Sequence, residues 1–211
     1  MMQIFKSLYS VLKQYTEPVG VSPEDGIRFW QERVLLIILL ISCVLGAIVY
    51  IPSVTLAYVE ELWDIVIADT AIMIWVYLIT FNRSLSYYFR ASSVVLLGYL
   101  LALVLLVTVG PFGAGPVWLF FFPIIASLLI GFRYSLLALA VNILTLVAFG
   151  FLMGKGLYHW EKDVPFFLEK WVVVGMNFML LNALATVSIA AVLQGLQKSL
   201  DMLKDHQEHL E

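Results

Sequence analysis

Six stretches of this sequence, near 34–51, 62–80, 92–109, 116–132, 135–153 and 171–193, are apolar for 17 to 23 residues at a time. A helix needs about 20 such residues, rising about 1.5 Å each, to cross about 30 Å of hydrocarbon. No water is available there to bond backbone N–H and C=O groups, so each segment is expected to close its hydrogen bonds within itself as a helix. The pattern predicts an all-α fold: a polytopic membrane bundle of six transmembrane helices. Composition agrees, since 62% hydrophobic residues, 13% charged residues and a mean hydropathy of +0.96 exclude an ordinary soluble domain. A net charge of -3, with basic residues scattered through the loops, excludes a nucleic-acid footprint. The single cysteine, Cys43, rules out an intramolecular disulfide. The fourth stretch is short and contains Pro123, which predicts a kink and a freed carbonyl satisfied by neighbouring helices or water.

The basic residues set an orientation. With the N-terminus cytoplasmic, Lys6, Lys13, Arg28, Arg33, Arg83, Arg90, Arg133, Lys198 and Lys204 fall inside, against Lys155, Lys162 and Lys170 outside. That asymmetry of 9 to 3 places both termini in the cytoplasm. Residues 1–33 read as a cytoplasmic amphipathic helix, over 1–15, and a connector in which Ser22 and Pro23 look like a helix start. Residues 34–193 form the six-helix domain, and 194–211 begin a cytoplasmic signalling helix. Outside, GPFGAGP at 110–116 predicts a tight turn. The longer loop 154–169 reads as a solvated aromatic segment at the lipid boundary.

The last apolar stretch passes without proline into LQGLQKSLDMLKDHQEHLE. Leu193, Leu196, Leu200, Leu203, Gln207 and Leu210 are spaced 3, 4, 3, 4 and 3, which keeps one seam facing a partner helix. On the same register the seam takes in Ile189, Thr186 and Asn182, so the chain is expected to form a parallel homodimer glued by Asn182 and Thr186. A helix lying flat on the bilayer would also show a leucine stripe. The excess of Asp201, Asp205, Glu208 and Glu211 over Lys198 and Lys204 suits anionic lipid poorly and favours the coil.

No metalloprotease, phosphate-loop or catalytic-triad pattern is present, and His159, His206 and His209 lack the spacing of a metal set. No catalytic residue, metal or cofactor is therefore expected. Asp69 is the one ionisable side chain deep in a predicted span, where a carboxylate is costly unless it faces a partner or a watery cavity. It is either a functional group or a hydrogen-bonded structural one. Asp69 lies 7 residues below Leu62 and Asn177 lies 7 below Lys170, so both sit about 10 Å beneath the outer boundary and are expected to pair. Asn142 matches the depth of Asn182 to about a turn and is the competing partner inside the bundle. Asp69, Asn177, Trp75 and Asn142 are the ligand-sensing candidates.

Three stretches carry a resemblance: SPEDGIRFWQERVLLIILLI entering the first span, VGPFGAGPVWLFFFPIIASLLIGFRYSLLALAVN across the third to fifth, and LQKSLDMLKDHQEHLE at the exit. Together they resemble the membrane-integral sensor modules at the N-terminus of bacterial histidine kinases, hybrid sensor kinases and diguanylate cyclases. The resemblance implies a non-catalytic input module of the bacterial inner membrane. Its partners would be the lipid bilayer, a second copy, a small-molecule or lipid signal, and a cytoplasmic kinase or cyclase output domain. No kinase domain lies in the sequence, so the chain is expected to be a module cut from a longer kinase or to act through a separate partner. Two other readings fit the same spans: a small transporter or permease subunit, and a scaffold that docks a soluble partner through its coil.

Overall fold

The protein's structure, a computed structural model, describes residues 15–18, 20–22, 26–82, 84–155, 157 and 168–208. The amphipathic helix expected over 1–15 falls almost wholly outside these residues, as do most of the 154–169 loop, Leu210 and the side chain of Leu203. Six helices follow one another: α1 (Ile27–Val59), α2 (Trp63–Phe81), α3 (Tyr87–Val109), α4 (Gly115–Leu129), α5 (Phe132–Gly154) and α6 (Leu168–Glu208). Five are long and apolar enough to cross a membrane, whereas α4 is an apolar helix of 15 residues.

The helices outrun the apolar stretches that predicted them. α1 starts after Gly26, whose φ of 64° is open to glycine, and not at a Ser22 cap. It continues through Pro52 to Val59, so its 33 residues extend about 50 Å. Its end is a tight reversal. Glu61 takes a φ of 59°, and it and Leu62 return N–H groups to the last turn, Glu61 to the Tyr58 carbonyl at 3.2 Å and Leu62 to that of Ala57 at 2.8 Å. α2 then runs back along α1, joined by side-chain bonds at three levels. Ser53 donates to Asp69 Oδ2 at 2.8 Å, Tyr50 and Thr70 share a bond of 2.9 Å, and Tyr77 reaches the Cys43 carbonyl at 3.2 Å.

α4 is the centre of the bundle. It packs on α3, α5, α6 and α1, and eight of its residues are buried, among them Leu119, Phe122, Pro123, Ile125 and Leu129. A helix apolar all round is expected to be enclosed in this way. It lies antiparallel to α3: the Tyr87 hydroxyl donates to the Leu129 carbonyl at one end, and Gly115 meets Leu106 at the other. That second contact leaves no room for a side chain. A Cβ on Gly115 would stand 2.7 Å from Leu106 N and 2.9 Å from its Cα. The turn over 110–114 is therefore held by contact as well as by its glycines, with Gly110 at a φ of 84°.

Leu35, Leu39, Ile79, Tyr87, Ala91, Ile125 and Leu129 form one core at the end of the bundle where α1 and α3 begin and α2 and α4 finish, here called the inner end. Ala102, Leu106, Leu119, Phe149 and Trp171 form another, joining α3, α4, α5 and α6 nearer the outer end. α1 contributes to the first cluster and not to the second.

Candidate functional site

α1 joins α3 and α4 in the inner core but takes no part in the second, and between these helices lies a cavity of about 580 Å³. α1 supplies Ser42, Gly46, Tyr50 and Ser53 to its wall, α2 supplies Asp69 and Met73, and α3 supplies Val94, Gly98 and Leu105. α4 closes the far side with Trp118, Phe121 and Ile125. Leu39 and Ile125 belong both to the wall and to the inner core, so the cavity has a packed floor. At its upper end Asp69, Ser53 and Tyr50 form a polar patch, Asp69 half-buried and accepting the Ser53 hydroxyl. Elsewhere the wall is almost wholly apolar.

The opposite face of α4 carries a second polar arrangement. Pro123 has no N–H, so the carbonyl four residues earlier, Leu119, has no partner within the helix. Two amides from other helices take its place: Asn142 Nδ2 of α5 donates to it at 2.7 Å and Asn182 Nδ2 of α6 at 3.4 Å. Thr186 steadies the second by donating to Asn182 Oδ1 at 3.2 Å. Asn142, Asn182 and Thr186 are fully buried. α4, α5 and α6 thus meet at one carbonyl, with Phe120 of α4 edge-on to Phe178 of α6 nearby. The sequence foresaw a freed carbonyl at Pro123 and a shared depth for Asn142 and Asn182. It did not foresee that the two amides meet on that carbonyl.

Several expectations need correction. Asp69 does not pair with Asn177. Asn177 is exposed and bonds the Val173 carbonyl of its own helix at 2.9 Å, while Asp69 bonds Ser53. The two residues match in depth but not in direction, since α2 packs on α1 and α3 whereas α6 packs on α4 and α5. Trp75 is 42% exposed and takes no part in the cavity wall. Asn182 and Thr186 do not glue a dimer seam: both are consumed inside their own bundle, and the seam's upper half faces α4 and α5. Ser53 and Tyr50 were missed because lone hydroxyls in apolar runs carry little signal. Their spacing to Asp69 across a tight α1–α2 reversal was the available clue.

A family model, MASE11, matches residues 29–196, which takes in the cavity and the Leu119 junction entire. The chain belongs to the MASE11 family. That family is one of membrane-associated sensor domains, so this chain is a membrane-associated sensor domain. Neither the curated proteins nor the solved structures contain a match to it.

Proposed function

We propose that this MASE11 domain is the non-catalytic input module of a larger signalling system, with both termini in the cytoplasm of a bacterium and six helices crossing its inner membrane. A stimulus taken up between α1 and α4 shifts α4, and α6 carries the shift to a cytoplasmic output domain, a histidine kinase or a diguanylate cyclase. The observation that carries this reading is the Leu119 carbonyl held by Asn182. α4 has the cavity on one face and α6 on another, and α6 continues as one helix to Glu208. Small shifts of a packed helix at such a junction are a common means of switching.

The level of Asn182 matches that of Asn142, ten residues from the start of α5 at Phe132. Counting ten residues on from Asn182 brings α6 to the inner end of the bundle near Val192, and the helix projects about 24 Å beyond it. A rod of that length suits transmission to a soluble domain.

The test is a fusion of residues 1–208 in helical phase to a kinase or cyclase reporter. Asn182→Leu, which releases α6 from the Leu119 carbonyl, should change reporter output by about fivefold or more, the scale of ordinary coupling energies. Asn177→Leu, on the exposed side of the same helix, should leave output near wild type. Equal outputs from wild type and Asn182→Leu at equal protein levels would sink the proposal.

A further inference from the structure

We infer that the cavity binds a single-chain amphiphile with a protonated amine head group, drawn sideways from the bilayer, its amine on Asp69 and its chain lying between α1 and α4. The inference rests on the reading of this cavity as the sensing site and names the class of ligand it takes.

Shape gives the chain. The wall runs from Ile38 to Ser53 on α1, about 22 Å, and from Val94 to Leu105 on α3, about 16 Å. The cavity of about 580 Å³ is drawn out along that length, a shape that suits an extended hydrocarbon chain. Gly98 widens the middle of this channel, because a Cβ placed on it would meet nothing within 4 Å.

Exposure gives the route. Ile41, Leu45 and Val49 fall one turn apart on α1 and line the cavity while standing half exposed or more, and Phe121 of α4, 41% exposed, lines it opposite them. The mouth is therefore a slot between α1 and α4 with apolar lips. In a membrane such a slot opens to acyl chains and not to water.

Charge gives the head group. Among the described residues of the wall, Asp69 is the only acid, and there is no Lys, Arg or His. Asp69 already accepts one hydroxyl, from Ser53, and a carboxylate has room for several more donors. An ammonium brings three N–H donors and the complementary charge. A fatty acid or a phospholipid phosphate would bring a second acceptor against Asp69 with no cation to compensate, so the wall selects against them.

The test uses the full chain in phosphatidylcholine nanodiscs and chain-brominated forms of hexadecylamine, hexadecanol and hexadecanoic acid, read as saturable quenching of tryptophan fluorescence. Trp118 lies in the wall and serves as reporter, and Trp118→Phe should remove the saturable part. The amine should bind about tenfold tighter than the alcohol, the difference between a charge-assisted and a neutral hydrogen bond. The acid should show no saturable quenching. Gly98→Leu, which fills the channel, should abolish amine binding while the melting temperature holds. Asp69→Asn should bring the amine down to the level of the alcohol without touching the channel. Acid binding equal to amine binding, or full amine binding by both variants, would overturn the inference. A bound amine that leaves the reporter fusion unchanged would instead overturn the sensing role and leave the site standing.

Discussion

Pro123 removes one backbone donor, and the consequences of that single absence reach three helices. In hydrocarbon an unbonded carbonyl is costly, and here the Leu119 carbonyl is served by Asn142 at 2.7 Å and by Asn182 at 3.4 Å. The energies of Pro123 and Asn142 should therefore be coupled. Pro123→Ala supplies the missing N–H, so the Leu119 carbonyl is satisfied within α4 and Asn142 loses part of its purpose. Asn142→Leu should lower stability in the Pro123 background and lower it less in the Pro123→Ala background, with a coupling of about 1 kcal/mol, as found for interhelical hydrogen bonds. The cycle is the right measure because the single substitution is mixed. Asn142 Oδ1 is buried with no partner among the described residues, and Leu removes that cost along with the bond. Reversible unfolding in one detergent gives the four stabilities; additivity within error would show that the two residues act separately.

Among the helices, α4 is short because it begins where α3 lets it. Gly115 sits on the backbone of Leu106 and Ala102, with a Cβ position 3.0 Å from the Ala102 carbonyl, and backbone atoms cannot swing aside as a side-chain tip can. Gly115→Ala should therefore destabilise by about 1 to 3 kcal/mol through overpacking. Gly98→Ala, facing the open cavity, should be tolerated or stabilise by up to about 1 kcal/mol through helix propensity. Melting temperatures that move together in the two variants would contradict the close approach. The number and order of the helices could be read from the lengths of the apolar runs, because a membrane imposes that length. Not all of their ends could. The turns that extend α1 back to Ile27 are not apolar and hydropathy does not register them, whereas the run of α6 to Glu208 was legible in the proline-free passage into the leucine-spaced tail. Nor could their neighbours be read. Residue counting gives depth along the bilayer normal but no direction around it, which is why Asp69 and Asn177 were matched across helices that face different partners.

For the molecule as a whole, the question is what covers α6 once it leaves the bundle. Asn182, Thr186 and Ala190 lie on one stripe and are buried against the protomer's own helices. The same stripe continues through Leu193 to Leu196, which is 49% exposed, and Leu200. No nucleation is needed to keep this tail helical, since it extends a helix already formed. Each leucine left in water forgoes about 1.5 to 3 kcal/mol of burial, and we propose that a second copy in parallel would cover them at the 3,4 spacing. Such a dimer contact would start where the bundle contact stops. Cysteines at Leu196 and Leu200, in a Cys43→Ser background, should crosslink to their symmetry mates more efficiently than cysteines at Lys198 or Asp201. A cysteine at Thr186 should not crosslink, although it shares their stripe, because its face is occupied by α4 and α5. Crosslinking at Thr186 equal to that at Leu196 would mean that two copies meet through the membrane as well, and the bundle described for one chain would have to open to allow it.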